Sequence, residues 1–101
     1  MKTYVVTRHL GALKWLESQG IKADTYLTHL TDVSSFEFGD MVIGVLPLPI
    51  VAKLNQKGVA YFHFTLDIPL EYRGMELCEE TLQKLSPRLE QFEVSRPDIY
   101  R

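Results

Sequence analysis

The sequence has one cysteine, one tryptophan and three histidines among its 101 residues, and no surplus of basic charge. A single cysteine excludes an intrachain disulfide, and with it the disulfide-stapled small secreted domains; a reducing compartment is expected. With Lys+Arg 11 against Asp+Glu 13, the chain lacks the broad positive field that holds a protein on duplex nucleic acid without sequence preference. Long apolar runs are missing too. None approaches the ~20 residues of a membrane-spanning helix, and the opening Met1-Lys2-Thr3-Tyr4-Val5-Val6-Thr7-Arg8-His9 meets charge at once. The expectation is a cytoplasmic protein with no membrane and no duplex nucleic acid as partner. Neither a GxGxxG dinucleotide fingerprint nor a GxxxxGK[ST] phosphate loop occurs.

What is present is an ordinary globular composition, 46% hydrophobic and 24% charged. A chain of this length buries one core, so residues 1–101 are expected to form one domain with a short tail from about residue 95. Acid concentrates late: up to Leu66 there are six basic and five acidic residues, and beyond it five basic and eight acidic.

Tyr4-Val5-Val6-Thr7 is short and β-branched and stops at Arg8-His9, as a buried strand of a parallel sheet does. Helical spacing follows through Leu10, Ala12, Leu13 and Leu16, and Gly20-Ile21 supplies a left-handed stop. Residues 24–30 have the composition of an outer strand, 31–39 read as loop, and Met41-Val42-Ile43-Gly44-Val45 is the strongest buried-strand candidate. Pro49 starts a second helix that closes at Gly58. An internal echo accompanies the two helix ends: Leu16-Glu17-Ser18-Gln19-Gly20-Ile21 and Leu54-Asn55-Gln56-Lys57-Gly58-Val59 share a leucine, three polar residues, a glycine and a β-branched aliphatic. Tyr61 to Leu66 is the fourth strand, halted at Asp67-Ile68-Pro69. Residues 70–74 are expected to be irregular and 75–85 helical, with Cys78 on the apolar stripe as an unreactive core residue. Leu89 and Phe92 extend that stripe, and 92–94 form a short edge strand.

Alternating strands and helices predict a small α/β, Rossmann-like domain: a mostly parallel sheet of four or five strands with about three helices. So few helices cover a sheet poorly, and a two-fold homodimer is the economical remedy.

In open α/β sheets ligands bind beyond the carboxyl ends of the strands, where the strand order reverses. That rule nominates Thr7, Arg8 and His9 after the first strand, Gly44, Leu46 and Pro47 at the end of the third, and Asp67 after the fourth. The turn running from Arg8 through His9, Leu10, Gly11 and Ala12 is the richest of these. A helix start attracts anions, Gly11 admits close approach, Arg8 is a bidentate phosphate donor, and His9 can move a proton near neutral pH. An Arg-His pair after a strand is also a common solvated loop, so spacing alone leaves phosphate binding and a plain surface turn equally open. Arg73 reaches toward the same mouth or toward a partner subunit. His63, between Phe62 and Phe64, reads as a hydrogen-bonded core histidine, and His29 as structural or exposed. Scattered histidines with one cysteine give no metal spacing, so no metal and no cofactor are expected.

Four segments in order, Tyr4 to Ala12, Gly39 to Pro47, Tyr61 to Pro69 and Arg73 to Leu77, resemble the Csx-sixteen family of small CRISPR-associated proteins. The resemblance implies a CARF-like domain accompanying type III CRISPR systems. It also implies a ring nuclease, which linearises a cyclic oligoadenylate messenger, chiefly cyclic tetra-adenylate, and so ends an antiviral signal. The family's Arg-His motif falls on Arg8 and His9, which become the expected catalytic pair of a metal-independent reaction. Two other readings stand beside it: a module that binds or sequesters the messenger without cutting, and a protein-interaction subunit with no nucleotide ligand.

Overall fold

The computed structural model describes residues 1–72, 74 and 79–97. Five strands form one sheet: β1 (Thr3–Val6), β2 (Thr25–Leu27), β3 (Met41–Gly44), β4 (Ala60–Thr65) and β5 (Arg88–Phe92), in the order β2-β1-β3-β4-β5. The first four run parallel and β5 antiparallel. Helix α1 (Leu10–Ser18) joins β1 to β2, α2 (Leu48–Gln56) joins β3 to β4, and the short α3 (Glu79–Gln83) precedes β5. This is the small Rossmann-like α/β architecture that the alternation predicts. From the central pair the chain departs in opposite directions, through α1 toward one edge and through α2 toward the other.

The two helices take opposite faces because neighbouring strand residues do. Val5 and Ile43 pack with Leu16 of α1, whereas Val6, Val42 and Tyr61 pack with Val51 and Leu54 of α2. Both helices end in one motif. The Ile21 N–H bonds the Leu16 carbonyl and the Gly20 N–H that of Glu17; Val59 to Leu54 and Gly58 to Asn55 repeat the pattern, all at 3.0 Å. Gly20 and Gly58 sit at φ +76 and +80, where a glycine carries no steric penalty. The sequence echo is thus one Schellman stop used twice, its leucine and its following aliphatic joining the same core.

Two expectations change. The outer strand shrinks to Thr25–Leu27, and Leu89 with Phe92 belongs not to a continued helical stripe but to β5, registered from Tyr61↔Phe92 to Thr65↔Arg88. Pro87 would stand inside the extended helix and break its hydrogen bonding, whereas Ser86, at φ +54, turns the chain back along the open edge of β4. Of the expected 75–85 helix, Glu79–Gln83 is observed; Cys78 and Arg73 lie outside the described residues.

Candidate functional site

The strand order reverses between β1 and β3, and there the structure has a cleft of about 980 Å³. That is the upper end of the usual range for small-ligand sites. Its walls are the segments following β1, β2, β3 and β4, so every parallel strand contributes its carboxyl end.

Of the nominated residues, Thr7, Arg8, His9, Ala12, Gly44, Leu46 and Pro47 line the cleft. His9 is the N-cap residue of α1 in extended conformation, so Leu10, Gly11 and Ala12 open the helix with N–H groups that precede its first internal partners. The Thr7 Oγ1 accepts the His9 N–H at 3.1 Å, and the Thr7 N–H donates to the Leu27 carbonyl at 2.9 Å, fixing this turn against β2. No acidic residue occupies the first turn of α1. Gly44 forms part of the floor, and a Cβ there would lie 2.5 Å from the Val6 carbonyl oxygen. Only glycine lets β1 and β3 stay this close at the point where the cleft opens.

Leu10 and Gly11 belong to the first turn of α1 but stand outside the lining. Asp67 also stands outside it: its carboxylate accepts from Arg88 at 3.3 Å, in an exposed pair, and its backbone N–H donates to the Leu85 carbonyl at 2.8 Å. Tyr72 lines the cleft and is partly exposed.

Sequence reasoning missed His63 and His29 as wall residues. All three histidines line the cleft, together with Thr28 and Thr65. His63 is hydrogen-bonded, as expected, yet it is half-buried and looks onto the cleft, since it stands in register with Gly44 where the sheet ends. That register is the one signal that a strand-end reading contained. The Thr65 Oγ1 is buried with no hydrogen-bond partner among the described residues. His29 Nδ1 lies 3.2 Å from Thr28 Oγ1.

Beneath the β3–α2 loop, Tyr61 joins the parts. Its hydroxyl receives the Leu46 N–H at 2.9 Å and lies 3.0 Å from the Gly44 carbonyl and 2.7 Å from His63 Nδ1. Burial pushes the Tyr61 hydroxyl pKa above its ordinary value, against a smaller opposing effect of the Leu46 N–H, so the phenol keeps its proton at neutral pH.

The lining therefore holds one arginine and three histidines, and no Asp or Glu among the described residues. In a chain of net charge −2, the described lining thus carries basic and no acidic side chains. No group of three or more His, Cys, Asp or Glu positioned to hold a metal ion occurs among the described residues, and none of their helices is long and apolar enough to cross a membrane.

No curated protein and no solved structure matches the chain. Residues 4–95 match the family described as "Putative CRISPR-associated protein (Cas_VVA1548)", a span that includes the cleft-lining segments and nearly all of the sheet. The chain belongs to this CRISPR-associated family.

Proposed function

We propose that the protein is the ring nuclease that the Csx-sixteen resemblance implies, binding cyclic oligoadenylate, chiefly cyclic tetra-adenylate, and linearising it without a metal. The observation that carries this reading is the cleft: Arg8 and His9 at the start of α1, and no carboxylate among the described lining residues, at the switch in strand order. Membership of a CRISPR-associated family supports the biological setting.

The chemistry requires positioning and charge stabilisation more than an added reagent. The ribose 2′-oxygen attacks the adjacent phosphorus in line and expels the 5′-oxygen, leaving a 2′,3′-cyclic phosphate. Arg8 holds the non-bridging oxygens, and His9 exchanges a proton with the reacting oxygens. The requirement for a 2′-hydroxyl restricts the ligand to RNA-like rings. Leu46, Pro47 and Tyr72 offer apolar wall for adenine.

A ring of four phosphates is symmetric, and a homodimer presents two Arg8-His9 pairs to opposite phosphates. Leu10, Val45, Leu48 and Leu70 are all more than half exposed, on the segments that follow β1, β3 and β4, and offer apolar surface for such pairing.

The test is incubation of the purified protein with cyclic tetra-adenylate in EDTA. Cutting to a 2′,3′-cyclic phosphate product is expected, slowed by Arg8→Ala and by His9→Ala. An intact ring at excess protein overturns the reading; tight binding with no cutting would make the protein a sequestering module instead.

A further inference from the structure

The Tyr61 hydroxyl fixes the hydrogen on a histidine that the Arg8-His9 reading leaves without a role. A phenol has one proton to donate and two lone pairs to offer. The Gly44 carbonyl, 3.0 Å away, has no proton, so that contact is a hydrogen bond only if the hydroxyl donates to it. With the proton committed there, the 2.7 Å contact to His63 requires Nδ1 to carry hydrogen and donate to Tyr61, beside the Leu46 N–H. The reverse arrangement, hydroxyl donating to a bare Nδ1, turns two oxygen lone pairs toward each other in a buried site. One tautomer therefore satisfies all three contacts. It places hydrogen on Nδ1 and leaves Nε2 with an open lone pair, on a ring that lines the cleft and is held edge-on by Tyr61 and Phe92, each at a centroid separation of 5.8 Å.

We propose that His63 is the general base of the reaction, with Tyr61 as its positioning residue; this rests on the ring-nuclease reading above. Nε2 takes the proton of the 2′-hydroxyl as the 2′-oxygen forms its bond to phosphorus. The bond from phosphorus to the 5′-oxygen breaks, its electron pair passing to that oxygen, and His9, entering as imidazolium, supplies the proton that makes a 5′-hydroxyl. His63 ends as imidazolium and His9 as imidazole, and exchange with water restores both. The arrangement gives each histidine one task.

Three measurements test it. In the ¹⁵N-labelled wild-type chain, a long-range proton–nitrogen correlation near pH 8 should show hydrogen on His63 Nδ1; hydrogen on Nε2 overturns the proposal, whatever the protein does to a ring. His63→Asn keeps a donor toward Tyr61 and removes Nε2, so cyclic tetra-adenylate should bind within about 3-fold of wild type while single-turnover cutting falls by about 10²–10⁴-fold. Wild-type cutting by that variant removes His63 from the mechanism and leaves the ring-nuclease reading standing; a wild-type protein that does not cut removes both. A ring with sulfur in place of the bridging 5′-oxygen needs no acid for its leaving group. On that substrate His9→Ala should recover nearly to wild type while His63→Asn stays slow, and the opposite pattern overturns the assignment.

Discussion

The two ends of the sheet solve opposite problems. At the amino end the polar groups are matched within the protein: Asp40, 4% exposed, accepts the Lys2 and Glu37 N–H groups at 2.9 Å each, and Asp24 accepts the Thr3 N–H at 2.8 Å. Lys57 closes the adjoining loop by donating to the Val33 and Ser34 carbonyls at 2.9 and 3.0 Å. At the carboxyl end an arginine and three histidines surround open space, Thr65 Oγ1 is buried without a partner among the described residues, and apolar side chains stand exposed. Acids serve one end as fasteners, and the described lining of the other has none. A small domain can leave one end open because the other is closed.

The contrast can be broken by substitutions that read activity and stability together. Arg8→Ala should give the largest effect, a loss of about 10²–10³-fold in ring cutting from one missing charge-stabilising donor, with a melting temperature near wild type. A melting temperature that falls with activity would make Arg8 a structural residue and dissolve the contrast. Asp40→Ala should do the reverse: with two backbone N–H groups stripped of a charged acceptor, stability falls by about 2 kcal/mol in denaturant titration, while the folded fraction cuts normally.

Acid should act on the same fastener. Hydrogen bonds from the Glu37 and then the Lys2 N–H hold the Asp40 pKa below its ordinary 3.8, against the opposing effect of burial. A carboxyl lowered on folding contributes its full stabilisation above the unfolded value and loses it as pH falls through the folded one. Wild type should therefore lose stability as pH drops from about 4 toward lower values, and Asp40→Ala should lose less over the same window. Equal acid slopes would place the sensitivity elsewhere. The smallest effect is expected at Asp67→Asn, which removes an exposed pair with Arg88: about 0–0.5 kcal/mol in stability, and ring cutting unchanged. Slowed cutting there would return Asp67 to the site.

Much of the sheet was legible in the sequence because its signals are local. Tyr4-Val5-Val6-Thr7 and Met41-Val42-Ile43-Gly44 are short apolar runs, and each Leu-to-Gly stop carries its own hydrogen-bond pattern. β5 was legible only in part: the edge strand expected at 92–94 shares Phe92 with the observed Arg88–Phe92, and the rest of it was read as helical stripe. Leu89 and Phe92 fit a period of three as well as a strand, and the partner that decides the matter, β4, lies 23 to 31 residues away along the chain, as in Thr65↔Arg88 and Tyr61↔Phe92. The switch-point rule found Arg8 and His9 because it needs only strand ends. It passed over His63, whose place on the cleft wall depends on its register with Gly44 and whose ring is held by a tyrosine two residues earlier, both properties of the assembled sheet.

Tyr61 makes the wall and the proposed base one mechanical part. A single oxygen atom ties the Leu46 N–H, at the entrance to α2, to the ring of His63 on the neighbouring strand. A displacement of that loop which drew Leu46 off the hydroxyl would disturb the atom that orients His63 as well. The fit of whatever presses on the loop and the orientation of the imidazole therefore share one point of leverage.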